Sequence, residues 1–233
     1  MSASKLFFEG GFAVASVTVR RLMAVAVLLL AAPALTFAQA SKAAPKSTAA
    51  SAPASKEIVK SAGSRSAPIT MEVFSDFQCP ACRNLYFEVL RPMMNDYVHS
   101  GKVYLVHRDN PLAMHPYARD AARMANAAAQ VGKFERVVEA IYAAQPAWSV
   151  DRSKLDQAVA SVLTPAELTQ VRAAMTSTAV ESSIDRDLAA GRTVPVGSTP
   201  TVVLTHRGQR IPLPGSVNYP LLRRVLEQML AQR

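Results

Sequence analysis

Cysteine is scarce in this chain: its 233 residues hold two, Cys79 and Cys82, in a single Cys-Pro-Ala-Cys run. That scarcity excludes a disulfide-stapled scaffold, because a bridge across so short a loop stabilises little by chain entropy. A four-cysteine zinc site is excluded too, there being no second pair. His99, His107, His115 and His206 never fall at the close spacing that could complete such a site, so no metal is expected. Internal repeats are lacking. The formal net charge of +9 forms no stripe: residues 1–66 hold 8 of the 26 Lys+Arg and 2 of the 17 Asp+Glu, leaving 18 against 15, a net of +3. A dispersed, near-neutral remainder lacks the basic, aromatic-interleaved face that nucleic acid requires, so no nucleic-acid partner is expected.

Residues 1–40 read as a secretory signal peptide. Arg20-Arg21 precede the apolar run Leu22 to Leu35, and Thr36-Phe37-Ala38-Gln39-Ala40 offers small-residue cleavage at Ala38 or Ala40. A membrane anchor is the competing reading, but the run is shorter than the ~20 residues of a span and contains Pro33. The arginine pair lacks the extended motif of twin-arginine export. Residues 41–66, rich in Ala, Ser, Pro and Lys, read as a disordered linker that would reach about 25–30 Å as a flexible coil. The expected location is periplasmic or otherwise exported, with membrane tethering only if the signal segment is retained. Residues 67–233 suffice for one domain with its own core.

The cysteine pair lies at a strand-to-helix junction. Ile69-Thr70-Met71-Glu72-Val73-Phe74 is short, apolar and bounded by Ser75-Asp76, as a buried strand is, while Leu85, Val89 and Leu90 recur at helical spacing. Cys79 therefore falls at the helix N-cap and Pro80 at the first helical position, where a missing N–H costs nothing. The free N–H groups of the first turn and the positive dipole end favour a thiolate at Cys79. Cys82, one turn further in, should stay a thiol until Cys79 enters a mixed disulfide, and then attack it. The pair thus reads as a reversible dithiol/disulfide switch needing no cofactor beyond the redox-active disulfide Cys79–Cys82 itself. Asp76 and Phe77 are expected to shape the loop before the cysteines, Phe77 covering one side of the motif, with local packing as the alternative for either.

Downstream, Pro92 should kink or end the helix, Met93 to His99 continuing as a second helical piece stopped by Gly101, and Lys102 to His107 alternates as a strand, giving a β-α-β unit. Ala-rich segments predict helices over Tyr117 to Val131, Phe134 to Ala144, Lys154 to Leu163, Pro165 to Met175 and Val180 to Ala190. They form a helical insertion over about 111–192. Thr164-Pro165-Ala166-Glu167 is a capping-box pattern, and Trp148 reads as a packing anchor. Thr201 to Thr205 and Arg210 to Leu213 predict a hairpin whose prolines suit a sheet edge, and Tyr219 to Leu230 an amphipathic closing helix.

Assembled in this order, the chain resembles the DsbA-like thiol:disulfide oxidoreductases over residues 67–233. Phe74 to Cys82, Arg108-Asp109-Asn110-Pro111-Leu112 with His115-Pro116, Gly132-Lys133-Phe134 and Thr199-Pro200-Thr201 carry the likeness jointly. The resemblance implies an α/β, thioredoxin-like fold with an inserted α-helical subdomain. It further implies a cis Pro200 that places the Thr199 backbone beside Cys79, where a substrate peptide pairs in strand-like manner. Cys79 and Cys82 would be catalytic, supported by Pro80, Ala81, Phe77, Thr199 and Pro200. The implied function is exchange of the Cys79–Cys82 disulfide with cysteines of secreted clients, as an oxidant. A reductase or isomerase working from the dithiol is the alternative, and a peptide-binding holdase with incidental cysteines is the alternative of another class. Partners would be unfolded or folding secreted proteins and a membrane or soluble redox partner that resets the disulfide, with the enzyme a monomer. Two departures stand out. The buried acid that many members carry six residues before the first cysteine is Val73 here, with Glu72 on the opposite strand face. Ala81 replaces the histidine that strongly oxidising relatives place before the second cysteine.

Overall fold

The computed structural model describes residues 58–194 and 197–232. The expected signal peptide, 1–40, and the expected linker as far as residue 57 lie outside the described residues. Strand β2 (Ile69–Ser75) is buried at all but one position, as its apolar sequence requires. It runs parallel to β3 (Val103–Asp109) in the register Ile69↔Val103 to Ser75↔Asp109. On its other side it pairs antiparallel with β4 (Thr201–His206), which pairs in turn with β5 (Gln209–Pro214). Strand β1 (Ser61–Ala62) adds antiparallel to the far side of β3, giving the order β1-β3-β2-β4-β5. Pro212 and Pro214 sit on β5, the sheet edge, where a missing N–H breaks no ladder. Strand alternation sends Met71, Val73 and Ser75 to one face of β2 and Thr70, Glu72 and Phe74 to the other.

The described fold begins earlier than residue 67. Ile58 and Lys60 are buried, Lys60 O accepts the His107 N–H at 2.8 Å, and β1 satisfies the outer edge of β3. The expected disorder of 41–66 therefore fails for 58–66. Composition scored Lys60 as a solvated linker charge, whereas Asp109 and Asp187 neutralise it inside the fold. Gly63 turns the chain out of β1 at φ +87°, and a Cβ there would stand 2.7 Å from Val103 O. Only glycine fits both the angle and the approach.

Helix α1 (Pro80–Leu85) opens a helical run that passes through Pro92 to Val98, so of the two outcomes expected at Pro92 the chain does not end there and the second helical piece over Met93 to His99 is present. The helical run continues through π-type turns at Tyr86–Leu90 and Met94–Val98, with the short α2 (Arg91–Met93) between them. The wide turn before Pro92 bonds Arg91 N–H to Tyr86 O, five residues back. This reregistration carries the chain through a residue that cannot donate, so Pro92 does not end the helix. After β3 come α3 (Ala118–Gln130), α4 (Phe134–Ala143), α5 (Gln145–Trp148), α6 (Ser153–Ala160), α7 (Pro165–Ala174) and α8 (Thr178–Arg192). This is the helical insertion expected between the two halves of the sheet. The alanine-rich face of α3, with Ala118, Ala121, Ala122, Ala125 and Ala128 buried, packs against α4, α7 and α8. Trp148 is fully buried and donates Nε1–H to Ile141 O at 2.7 Å, the packing anchor that sequence indicated. Helix α9 (Tyr219–Ala231) closes the chain with Asn218 as its N-cap.

Thr164 and Glu167 form a reciprocal capping box at the start of α7, with bonds of 3.3 and 2.9 Å. Thr164→Ala is expected to lower stability by about 1 kcal/mol, read from the midpoint of urea unfolding at constant m-value.

Candidate active site

Cys79 is the N-cap of α1, with φ −76° and ψ 120°, and Pro80 is the first helical residue. The N–H groups of Cys82 and Arg83 both reach Cys79 O, at 3.1 and 3.2 Å. This geometry places the two sulfurs unequally: Cys79 opens toward the rim beside the exposed Pro80, while Cys82 is 1% exposed beneath the half-buried Ala81. Both are free thiols. The Thr199–Pro200 peptide is cis, and Thr199 O accepts from Cys79 Sγ at 3.5 Å. Residues 120 positions apart in sequence thus meet.

The thiol donated by Cys82 is the largest influence on Cys79; burial opposes it, and backbone N–H groups of Cys82 and Ala81 assist. The Cys79 pKa falls from 9.0 to about 5. Thr199 favours the thiolate as well, and its buried hydroxyl has no hydrogen-bond partner among the described residues. Burial pushes the Cys82 thiol the other way, well up, and its donation to Cys79 adds to that shift. Sequence reasoning assigned the acidity of Cys79 to the helix end. The first-turn N–H groups of Cys82 and Ala81 do act in that direction, and the thiol of the partner cysteine, which sequence reasoning did not include, acts with them.

The loop before the cysteines is held from the helical insertion. Asp76, 1% exposed, accepts from Gln78 N–H at 2.6 Å, Leu112 N–H at 2.8 Å and His115 Nδ1 at 2.8 Å. Its own N–H donates to Cys82 Sγ at 3.4 Å. Gln145 Nε2 donates to Phe77 O at 2.6 Å and to Cys79 O at 3.0 Å. Gln78 Oε1 accepts from Tyr117 N–H at 2.8 Å. Of the two roles open to Phe77, covering one side of the motif or local packing, its buried ring takes the second. Its ring turns inward, stacking on His107 at 5.1 Å and tilting onto Tyr142 at 5.1 Å. An apolar ring beside a buried strand end gains more from the core than from the rim.

Val73 lies under the motif as part of the apolar core. Glu72 faces the opposite side of the sheet, with Oε1 bonded to Arg108 Nε at 2.9 Å and Oε2 to Arg210 Nη2 at 2.7 Å. It cannot serve Cys82. Gln78, Gln145, Ser75 and Tyr142 went unnoticed as site residues in the sequence. Their order gave no signal, because the partner that gives each its place lies 39 to 68 positions away in sequence. Among the described residues no cluster of His, Cys, Asp and Glu could hold a metal ion, and no helix is long and apolar enough to cross a membrane.

A family profile described as Thioredoxin matches residues 55–212. A curated relative, the Na(+)/H(+) antiporter NhaA 3 of Salinispora tropica, is 38% identical over 84 residues, which make up 36% of this chain and 12% of that protein. The chain thus spans a small part of that relative's length. Among solved structures, alpha-DsbA1 of Wolbachia pipientis aligns with a TM-score of 0.62 at 17% identity, over 73% of this chain and 89% of that one. Oxidised BdbD of Bacillus subtilis aligns with a TM-score of 0.62 at 18% identity, over 76% and 95% of the two chains.

Proposed function

The chain belongs to the thioredoxin family and has the fold of the DsbA-like proteins, and from this premise we propose that it is an exported thiol:disulfide oxidoreductase that oxidises client cysteines. The observation that carries this reading is the inequality of the two sulfurs. A client thiolate attacks the Cys79 sulfur of the Cys79–Cys82 disulfide, and Cys82 leaves. The mixed disulfide at Cys79 is then resolved by a second client thiolate, which takes the client sulfur and releases Cys79. With a pKa of about 5, Cys79 leaves as a thiolate without needing a proton at neutral pH. Stabilising the reduced form in this way makes the disulfide a stronger oxidant.

The Thr199 backbone, held beside Cys79, gives an extended client segment a place to pair. Pro80 and Ala81 shape the first turn, and Phe77 fixes the loop from beneath. No cofactor beyond the cysteine pair takes part. The signal-like segment 1–40 supports export, and a separate redox partner would restore the disulfide after each turnover.

The test is the equilibrium reduction potential of residues 41–233 against glutathione, together with mixed-disulfide trapping by Cys82→Ser. A potential near the ~−120 mV of a strong disulfide donor supports the oxidant. One near the ~−270 mV of thioredoxin reverses the direction of work to reduction. Cys79→Ser should abolish exchange. Loss of thiol exchange with retention of a holdase activity would identify the cysteines as incidental only if the wild-type protein exchanged no disulfide either.

A further inference from the structure

Opening the Cys79–Cys82 bond leaves Cys82 as a buried anion, and a proton must reach it. The strand that carries the motif offers no acid for this: position 73 is valine, and Glu72 is held by Arg108 and Arg210 on the far face. Two residues beyond Val73, on its own face of β2, Ser75 immediately precedes Asp76, whose N–H donates to the Cys82 sulfur at 3.4 Å, and its hydroxyl acts against burial in lowering the Cys82 thiol. Ser75 Oγ also shares a 2.7 Å hydrogen bond with Tyr142 OH, from α4. Both hydroxyls border a small internal cavity of about 20 Å³ between β2, β3, the π-type turns and α4. That space suits one water, which needs polar partners on the wall.

The wall supplies them. Glu135, half-buried on α4, and His107, on β3, both line the cavity, with Lys60 at its edge. His107 Nε2 is buried and lies 3.3 Å from Asp109 Oδ1, too poorly aligned to bond to it. Burial raises the Glu135 carboxyl; His107 opposes the shift and Glu139 adds to it. Tyr86 faces the same space, and Glu135, Glu139 and Arg91 are the nearby charges that act on Tyr86.

Resting on the disulfide exchange proposed above, we propose that Ser75 and Tyr142 relay the Cys82 proton to and from Glu135 through this cavity, in place of the acid absent at position 73. As the client thiolate forms its bond to Cys79 Sγ, the electron pair of the breaking S–S bond goes to Cys82 Sγ. Ser75 O–H gives its proton to that sulfur, Tyr142 O–H reprotonates Ser75, and Tyr142 regains its proton from Glu135 by way of cavity water. Glu135 is left as a carboxylate and recovers a proton from solvent. When a redox partner reoxidises the pair, the same path runs in reverse. The cycle takes two electrons from the client and one proton into Cys82, while Cys79 stays a thiolate.

Single-turnover reduction of the oxidised protein by dithiothreitol, followed by acid quench, reads the Cys82 step directly. Ser75→Ala and Tyr142→Phe are expected to slow it on the order of a hundredfold at neutral pH, the size of a general acid contribution. Ser75→Thr, which keeps the hydroxyl, should restore most of the rate. The solvent deuterium isotope effect of the wild type should shrink in the slowed variants. Glu135→Gln should remove the fall in rate as pH rises through the carboxyl's titration, and its partly exposed position spares the core. Wild-type rates and isotope effects in both Tyr142→Phe and Glu135→Gln would overturn the relay while leaving the oxidoreductase standing. A wild-type protein that exchanges no disulfide would overturn the function itself.

Discussion

At pH 6, Cys79 of the reduced protein is expected to react with a disulfide reagent about ten- to twentyfold faster than an ordinary thiol, and Cys82 to enter only afterwards, by attacking the mixed disulfide formed at Cys79. The size follows from two opposing effects. A group with a pKa of about 5 is almost wholly thiolate at that pH, against roughly one part in a thousand for a thiol at its ordinary 9.0. That gain of about 900-fold is offset by lower intrinsic nucleophilicity, about 40- to 100-fold over four pKa units at a Brønsted slope of ~0.4–0.5. Population wins. Cys82→Ala removes the donated thiol that does most to lower the Cys79 pKa, so the ultraviolet thiolate titration of Cys79 should move upward. An unchanged titration would return the whole effect to the helix end and the backbone.

Linkage extends the same shift to stability. Between pH 5 and 9.0 the unfolded reduced chain binds the Cys79 proton and the folded chain does not, so stability rises with pH across that window. The gain is complete above 9.0 and is lost as pH falls through about 5. At pH 7 it is worth about 1–3 kcal/mol, reduced from the full shift because the sulfur lies near the rim, where solvent screens it. Cys82 acts with the opposite sign: its raised pKa favours the folded state below 9.0 and withdraws that support at higher pH. The melting temperature of the reduced form, measured relative to the oxidised form, should therefore climb from pH 5 toward 9 and fall beyond it.

What could be read in the sequence was local. Cys79 at an N-cap, Pro80 behind it, the buried run of β2 and the Thr164 box are fixed by neighbours within one turn or one strand. Thr199 and Pro200 were found by resemblance, since nothing near residue 199 points to residue 79. The parts that sequence missed join distant segments. Ser75 meets Tyr142 across 67 positions, and Gln145 meets Phe77 across 68. Polar residues of this kind look like ordinary loop and helix residues until packing turns them inward. The π-type turns escaped for a related reason: Pro92 breaks an α-helical pattern, and periodicity alone cannot show that a wider turn lets the chain continue.

Lys60→Met is expected to destabilise the fold by about 3–5 kcal/mol, the cost of leaving a buried charge without its partner. Lys60 Nζ bridges Asp109 and Asp187, and the side chains of all three are at most 5% exposed. Arg108 still reaches Asp187 Oδ1 at 3.0 Å, so Asp109 bears the loss, keeping Asn126 Nδ2 at 2.7 Å and the His107 ring at 3.3 Å but no lysine or arginine. Burial alone would raise the Asp109 carboxyl, but Lys60 and His107 hold it below its ordinary 3.8. The wild-type contribution is thus present above pH 3.8 and fades as pH falls further. In Lys60→Met the unpaired carboxyl would titrate higher, so acidification from neutral pH should narrow the gap between variant and wild type. Adding Asp109→Asn to Lys60→Met should recover part of the loss in urea unfolding, a coupling that independent sites would not show. The consequence reaches the cysteines, because Asn110 N–H, next to Asp109, donates to Ser75 O at 2.8 Å. Loosening this end of β3 loosens the strand end that carries Ser75 and Asp76, so Lys60→Met should slow disulfide exchange as well as destabilise the protein. Additive losses in the double variant, with an unchanged exchange rate in Lys60→Met, would show that the ion network only holds the sheet edge and does not position the site.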